Sequence, residues 1–285
     1  MVSFRDSPIT IGGPQLAIIV SPCAVTSQDE LLWIADRVRR AGARFLYERA
    51  HSSGPSRQRR GLASAMSVVR SRIGMLMVVD ALDQNSERGI AQYADVIQVR
   101  VPNLQDYSLS KWAGVPSKPV LLTCGTAAQV RALLTSGECV LRRCDHTVVL
   151  CVSSADNPVG QVHDALELNV VATVRRLTDL PLVMDISHGA GDRSEIVQLS
   201  RAAVAIGCDG LIVGVHSDRG HPPSDEVRSL SVEEFEQLMF EIRQIACVLG
   251  REASTPFDTL PVEPGTELAA ALVTELAPYL ATDER

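Results

Sequence analysis

The sequence lacks the features that would place it in a membrane or outside a cell. No apolar run approaches the ~20 residues that a helix needs to cross a bilayer, so a membrane-spanning protein is not expected. Residues 1–6 lack a basic stretch followed by an apolar one, and we therefore expect no signal peptide. The seven cysteines are odd in number and include no C-x-x-C pair, which argues against a disulfide scaffold. A cytoplasmic protein is the resulting expectation.

Positive charge is also scarce. Lys and Arg number 27 against 34 Asp and Glu, which gives a net charge of −7. A surface of that sign does not attract nucleic acid or an anionic membrane, although a local basic cluster occurs at residues 57–60. The 285 residues are 46% hydrophobic and 21% charged, which is typical of a globular protein with a large core. We therefore expect a small-molecule substrate as the partner, with no nucleic acid and no membrane.

What the chain does have is a repeated alternation of short apolar runs with amphipathic stretches. We count eight strand-then-helix units. The predicted strands cover residues 16–20, 44–49, 75–79, 95–99, 119–123, 147–152, 182–185 and 210–215. Such alternation is typical of parallel strands joined by right-handed crossovers, and eight units favour a closed barrel. The prediction is an α/β protein with a (β/α)8 TIM barrel, whose active site lies at the carboxyl ends of the strands.

The same pattern divides the chain into three parts. A short hairpin is predicted for residues 1–15, the barrel for 16–250 and a C-terminal extension for 251–285. The extension is rich in Pro and Thr and then carries an apolar-patterned helix, predicted for 266–280, with Leu at four-residue spacing. Two interpretations stay open: the helix packs on the barrel's own surface, or it docks to a partner.

Residues 182–191 are the stretch that best predicts a site. A short apolar run ends in Asp185, Ser187 and His188 and then breaks into glycines, as expected for a buried strand that delivers polar side chains to a cleft. Other polar candidates follow the predicted strands, namely Cys23, Asp80, Asp83, Asn103, Cys124, His216 and Asp225. A thiolate, an imidazole and a carboxylate from different strands can together bind a divalent metal. A single Cys after a buried strand is more often a small core residue.

Several motifs give the chain a family resemblance over roughly residues 9–245. Residues 21–25 are Ser-Pro-Cys-Ala-Val where the family has Gly-Pro-Cys-Ser-Val, and residues 185–188 are Asp-Ile-Ser-His where it has Asp-Pro-Ser-His. Further matches lie at residues 94–98, 118–122, 210–216 and 224–230. With these motifs the chain resembles the 3-deoxy-D-arabino-heptulosonate 7-phosphate (DAHP) synthases in their short form, without a regulatory domain. The resemblance implies a (β/α)8 barrel and a metal-dependent, aldol-like condensation of phosphoenolpyruvate with a phosphorylated aldose, in aromatic biosynthesis.

The resemblance also implies a metal site that is incomplete in this chain. The family's four ligands are Cys, His, Glu and Asp, and three of them fall on Cys23, His188 and Asp225. The Glu position is Gly214. A divalent metal such as Mn, Zn, Co or Fe is therefore expected with one ligand fewer, unless His216, Asp185 or water replaces it.

The cations that hold phosphoenolpyruvate in the family are largely missing. The corresponding positions carry neutral residues at 52–55, Tyr47, Pro102, 123–125 and 152–154. Each lost cation removes a charge-assisted hydrogen bond worth about 1.5–3 kcal/mol, so tight binding of phosphoenolpyruvate is not expected. Positive charge survives nearby in Arg49, Arg100 and Arg193, which are either ordinary surface arginines or part of a rebuilt pocket.

Our first hypothesis is therefore an enzyme with the family barrel and an altered substrate. It would carry out aldol-type or carbonyl-polarising chemistry on a small oxo acid or sugar-like compound, in a specialised (secondary) metabolic pathway. The proposed catalytic residues are Asp80, Asp185, His188 and His216. The proposed substrate-binding residues are Arg49, Arg100, Asn103, Cys124, Ser187 and Arg193.

The alternative is a catalytically inactive homologue that binds a small molecule or regulates a partner protein. It is motivated by the number of lost catalytic positions and by the predicted C-terminal helix. A third hypothesis keeps the family reaction with relocated cations. The resemblance implies an oligomer, and we expect a homodimer or homotetramer.

Overall fold

The computed structural model describes residues 1–4, 7–23, 25, 27–48, 66–80, 94–100, 118–124, 130–143, 147–153, 168–187, 193–217 and 229–253. Its strands are β1 Val2–Phe4, β2 Ser7–Ile11, β3 Gln15–Pro22, β4 Phe45–Glu48, β5 Leu76–Asp80, β6 Val96–Arg100, β7 Val120–Cys124, β8 Val148–Ser153, β9 Leu182–Asp185, β10 Gly210–His216, β11 Leu230–Ser231 and β12 Glu252–Ala253. Its helices are α1 Gln28–Ala41, α2 Val130–Arg143, α3 Asn169–Leu177, α4 Arg193–Ala205 and α5 Val232–Val248, with a π-helical segment at Val69–Ile73.

Eight parallel strands close into a barrel. Strands β3 to β10 each pair with the next one, and β10 pairs back onto β3 over six residue pairs from Gly210–Ala17 to Val215–Pro22. Gly210 is required for this closure, because a Cβ at that position would lie 2.5 Å from the carbonyl oxygen of Ala17. The predicted (β/α)8 TIM barrel is thereby confirmed.

Each barrel strand is apolar on both faces, because one face packs against the helices and the other faces the inside of the barrel. One set of alternate residues, including Ile18, Leu46 and Met184, packs outward against the helices. The other set, including Ile19 and Val183, fills the inside of the barrel, which we call the lumen. This period of two means that the outward or inward direction of every strand residue follows from its register.

The amino-terminal hairpin covers the end of the barrel opposite the carboxyl ends of the strands. Strands β1 and β2 pair antiparallel, and Val2 and Ile11 are buried in the same cluster as the lumen residues. The ring of Phe4 packs edge-on against Phe45, with centroids 5.4 Å apart. Apolar side chains thus fill the lower lumen, and the polar residues are confined to the other end.

The helix signals in the sequence appear in the structure with altered lengths. Ser27 caps α1 by accepting a hydrogen bond from the Glu30 N–H at 3.1 Å. Helix α2 runs from Val130 to Arg143. Gly137 does not stop it, and this residue packs against Leu150 and Leu180. The helix predicted at 266–280 lies outside the described residues.

Among the described helices, none combines the length and the apolar character needed to cross a bilayer; the longest, α5, has 17 residues.

Candidate active site

The carboxyl ends of the barrel strands bring polar side chains together at one mouth. Register pairs Asp80 with Gln98 and Ser153 with Asp185, so each pair lies on the same side of its two neighbouring strands. Their strands place these residues directly above the apolar lumen cluster. The remaining lumen-facing polar residues by the same alternation are Ser21, Cys23, Tyr47, Arg100, Thr123, Cys151 and His216.

Tyr47 and Asp80 form a buried pair inside the mouth. The phenol of Tyr47 donates a hydrogen bond to Oδ1 of Asp80 at 2.7 Å, and both residues are buried. A carboxylate removed from water needs such a donor. The resemblance assigns a family cation to position 47, so a neutral donor stands here where an arginine was expected to face the substrate.

Asp185 is held from two sides. Its Oδ1 accepts a hydrogen bond from the Ser187 N–H at 3.2 Å, and its Oδ2 accepts one from the Ser153 hydroxyl at 3.4 Å. Asp185 is 1% exposed. Ser153 is the second position at which the resemblance replaces a cation by a neutral residue, and this residue too bonds a lumen carboxylate.

Gln98 presents an unused amide to the lumen. It is 1% exposed, and neither its Nε2 nor its Oε1 has a hydrogen-bond partner among the described residues. The hydroxyl of Ser187 is also buried and also has no hydrogen-bond partner among the described residues. An unpaired buried polar atom costs about 1–3 kcal/mol, so such atoms at a mouth indicate a ligand or water that bonds them. Gln98 could not be selected from the sequence alone, because its side chain faces the lumen only through the register of β6 with β5.

Cys151 lies in the lumen among these polar groups. Burial, and then the neighbouring carboxylate of Asp185, raise the pKa of this thiol well above its usual range. The sulfur is therefore a protonated thiol at neutral pH and not a nucleophilic thiolate.

His216 is fixed by contacts at both ring nitrogens. Its Nε2 lies 3.2 Å from a terminal nitrogen of Arg193, and its Nδ1 lies 2.9 Å from the hydroxyl of Ser229. A guanidinium can only donate, so Nε2 is the acceptor and Nδ1 carries the proton. Arg193 also lies 3.9 Å from the carboxylate of Glu234, which itself accepts from the Ser231 N–H. The imidazole is thus oriented by the first turns of α4 and α5.

Cys23 extends the pairing of β3 with β10. Its N–H donates to the carbonyl oxygen of Val215 at 2.7 Å, which places it beside His216, and its thiol lies 3.5 Å from the carbonyl oxygen of Ser21. Across the strand pair, the partner of Ser21 is Gly214, which offers no side chain. Within the ranges described, no group of three or more His, Cys, Asp and Glu residues is arranged to hold a metal ion.

The other predicted site residues divide into two groups. Arg100 faces the lumen beside Thr123, and Ser187 and Arg193 lie at the mouth as described above. Cys124 does not join them, since it packs with the outward-facing core between strands and helices. Five predicted residues lie outside the described part of the chain: Arg49, Asp83, Asn103, His188 and Asp225.

Comparison with known proteins agrees with this geometry. The model of the DAHP synthetase I family matches residues 2–247, which is nearly the whole barrel and its hairpin. The chain belongs to the DAHP synthetase I family.

Its relatives in the family are of two named kinds. A phospho-2-dehydro-3-deoxyheptonate aldolase of Thermotoga maritima is 30% identical over 247 residues, covering 85% of this chain and 73% of that protein. A 2-dehydro-3-deoxyphosphooctonate aldolase of a Bradyrhizobium species is 24% identical, covering 79% of this chain and 86% of that protein. The DAHP synthetase I family member described here is therefore similar in sequence to aldolases that are named for different compounds.

A solved structure shows the same fold. The truncated form of 3-deoxy-D-arabino-heptulosonate 7-phosphate synthase from Thermotoga maritima superposes with a TM-score of 0.77 at 30% identity, covering 88% of this chain and 95% of that one. The DAHP synthetase I family member described here is thus a DAHP synthase-like barrel of the aldolase kind.

Proposed function

We propose that the protein is an enzyme that joins two small molecules at a carbon next to a carbonyl group, and that its substrates carry less phosphate than those of its relatives. One observation carries the proposal. Tyr47 and Ser153 replace family cations according to the resemblance, and each donates a hydrogen bond to a lumen carboxylate, Asp80 or Asp185. The former anion site has become a neutral donor network that stabilises two acids.

The chemistry proposed for this mouth is an aldol addition. The carboxylate of Asp185 takes a proton from the carbon beside the carbonyl of an oxo acid, and the resulting enolate carbon forms a bond to the carbonyl carbon of an aldehyde. The aldehyde oxygen becomes an alkoxide and takes up a proton, so the product contains every atom of both reactants. Asp185 returns the proton that it removed, and Arg100 faces the lumen, where it pairs with a carboxylate of the substrate.

Substrate orientation is assigned to the unpaired amide of Gln98. An amide offers one acceptor oxygen and two donor hydrogens, which suit a hydroxyl or carbonyl group of a neutral, sugar-like compound. A phosphate dianion would instead need cations in place of the two carboxylates. The substrate class that follows is an unphosphorylated oxo acid with a polyhydroxy aldehyde.

Divalent metal binding stays an expectation from the family resemblance. Of the expected ligands Cys23, His188 and Asp225, only Cys23 is described, and it lies beside His216. Gly214, opposite Ser21 on the neighbouring strand, offers no carboxylate. The described residues alone do not fit a metal site, so no step above depends on a metal.

The test is a reaction of the purified protein with pyruvate or phosphoenolpyruvate, each paired with erythrose or erythrose 4-phosphate. We expect a product with the summed mass of pyruvate and erythrose by mass spectrometry, and no product from phosphoenolpyruvate. Asp185→Asn should lower the rate at least about 100-fold, as loss of a general base does. Asp179→Asn, the same chemical change at an exposed turn, is the matched control and should retain full activity.

The second candidate is a binding protein without turnover. It is favoured by His216, because both of its ring nitrogens have protein partners. Pyruvate that raises the melting temperature while no pair reacts would select this candidate. Turnover of phosphoenolpyruvate with erythrose 4-phosphate would overturn both proposals in favour of the family reaction.

A further inference from the structure

Among the described residues, five of the seven large apolar side chains that are exposed lie at the carboxyl ends of four helices. They are Leu141 of α2 (44% exposed), Leu177 of α3 (60%), Ile206 after α4 (37%), and Val248 (87%) and Leu249 (44%) at the end of α5. We call this set the basal apolar arc, because helix carboxyl ends lie at the end of the barrel opposite the mouth. Single exposed apolar residues are common, but a group of them at one end indicates a contact surface.

Direct contacts tie three of these helix ends together. Arg175 of α3 donates to the carbonyl oxygen of Gly207, just after α4, at 3.1 Å. Arg251, just after α5, donates to the carbonyl oxygen of Cys208, and both arginines bond the carboxylate of Asp209. Leu177, Ile206 and the pair Val248–Leu249 therefore surround one cluster of bonds, which makes the arc a single surface.

Helix α2 joins the arc through its neighbour in the barrel. Gly137, one turn before Leu141, packs against the segment before β9, because a Cβ there would make an ordinary van der Waals contact with the side chain of Leu180, at 3.7 Å. Leu180 is also held to α3, because its carbonyl oxygen lies 3.4 Å from Nη1 of Arg175. Leu141 therefore lies on the same side of the barrel as Leu177.

The chain itself leaves the described structure at this end. Strand β12 pairs in parallel with the start of β3, with Glu252 opposite Gln15 and Ala253 opposite Leu16. The starts of the strands and the carboxyl ends of the helices lie at the same end of a (β/α)8 barrel. Residues 254–285 therefore begin beside the arc, and they follow the end of the family match at residue 247.

The sequence of this tail suits the arc in pattern and length. Leu268, Leu272, Leu276 and Leu280 recur every four residues, which gives one apolar stripe on a helix. A helix over residues 266–280 would be about 22 Å long. Neighbouring helices lie about 8–10 Å apart, so four helix ends span about 25–30 Å, and residues 254–265 can reach across about 40 Å.

Charge complements the apolar match. The tail contains the acids Asp258, Glu263, Glu267, Glu275, Asp283 and Glu284 against a single base, Arg285. The arc is bordered at the ends of α3 and α5 by Arg176, and by Arg175 and Arg251, which share the single carboxylate of Asp209. Three guanidiniums thus stand against one carboxylate in this cluster. Opposite charges around an apolar contact favour one orientation of the bound segment.

We propose that residues 266–280 of the same chain form a helix that docks on the basal apolar arc. The contact is intramolecular, and it lies on the face of the barrel that serves stability and not catalysis. The proposal is independent of the reaction assigned to the mouth.

The test is hydrogen–deuterium exchange of the full chain, read on peptides that cover residues 174–180, 204–210 and 246–252. Val248→Ser/Leu249→Ser in the arc and Leu272→Ser/Leu276→Ser in the tail should each speed exchange of these peptides about tenfold, because each removes one side of the contact. Phe240→Ser is the matched control, since Phe240 is 55% exposed on the same helix but is not at its end. It should leave the exchange of these peptides unchanged.

Two results would overturn the proposal. Equal exchange in the parent protein and in the Leu272→Ser/Leu276→Ser variant would mean that the tail does not cover the arc. Protection that falls on tenfold dilution of the protein would mean that the tail of a second copy is the occupant. All the substituted arc residues are exposed, so the variants are expected to fold and the readout stays interpretable.

Discussion

At the residue scale, two buried thiols, those of Cys208 and Cys151, have pKa values raised above the value of an exposed thiol. Burial raises the pKa of Cys208 to about 12, although the guanidinium of Arg251 lowers it in part. Burial also raises the pKa of Cys151, and the carboxylate of Asp185 adds to the shift. Both folded-state pKa values lie above that of an exposed thiol. The folded protein therefore keeps these protons at a pH where the unfolded chain releases them.

This difference predicts that the free energy of unfolding falls as the pH rises above about 9. Each buried thiol contributes a slope of about 1.4 kcal/mol per pH unit while the unfolded thiol is ionised and the folded one is not. Urea denaturation at pH 8, 9 and 10 should show the stability of the parent protein decreasing relative to Cys208→Ala, by about 1 kcal/mol between pH 9 and 10.

The comparison of the two proteins cancels the other groups that titrate in this range. A difference between parent and variant that is the same at all three pH values would contradict the prediction. The exposed Cys247 offers the matched control, since Cys247→Ala should leave the pH dependence unchanged.

At the scale of elements, helix α5 connects the mouth to the outside of the barrel. Its N-cap, Ser231, accepts a hydrogen bond from the Glu234 N–H at 3.1 Å, and the Glu234 side chain accepts one from the Ser231 N–H at 2.7 Å. Ser231 also pairs with His216 through β11 and β10. The body of the helix is joined to α1 by Arg37, which bonds Glu236 at 2.8 Å. The start of α5 is thus fixed by the same residues that line the mouth.

Ser231→Ala should lower the free energy of unfolding by about 1–2 kcal/mol, because it removes a buried cap bond. Ser27→Ala is the matched control, since Ser27 caps α1 at an exposed position and should cost about 0.5–1 kcal/mol. Urea titrations of both variants, followed by circular dichroism, measure the two losses. A larger loss at Ser27 than at Ser231 would contradict the account of α5 given above.

At the scale of the whole molecule, Asp209 joins the last third of the barrel. It lies just before β10, is 8% exposed, and accepts the Leu182 N–H of β9 at 2.8 Å. The same carboxylate bonds Arg175 of α3 and Arg251 of the segment after α5. One side chain therefore holds two strands and two helix ends, next to the closure of β10 on β3.

Asp209→Ala should cost about 2–4 kcal/mol of unfolding free energy, because two guanidiniums and a buried N–H lose their acceptor. The partial exposure of both arginines keeps the loss below that of a fully buried pair. Asp36→Ala is the control, since Asp36 pairs on one helix with the half-exposed Arg40 and should cost under about 0.5 kcal/mol. Coincident fluorescence and circular dichroism transitions would confirm that the barrel unfolds as one unit. If Asp209→Ala lowered the unfolding free energy by no more than Asp36→Ala does, Asp209 would not hold these strands and helix ends together.

The barrel could be predicted from the sequence, whereas the composition of the mouth could be predicted only in part. Strands covered on both faces are near-continuous apolar runs, so their number and order are visible without coordinates. Asp80, Asp185 and His216 were selected because they follow such runs. Cys124 was selected on the same ground, but in the structure its neighbour Thr123 takes the lumen position, because a shift of one residue reverses the direction of a strand side chain.

The sequence by itself determined the alternation of strands and helices, the closed barrel and the end at which polar residues meet, because those follow from local patterns of burial. Only the tertiary structure decided which polar residues face one another. Tyr47 bonds Asp80, Ser153 bonds Asp185 and Arg193 bonds His216 across neighbouring elements. The register between strands sets these contacts, and register depends on packing over the whole barrel and not on any one stretch of chain.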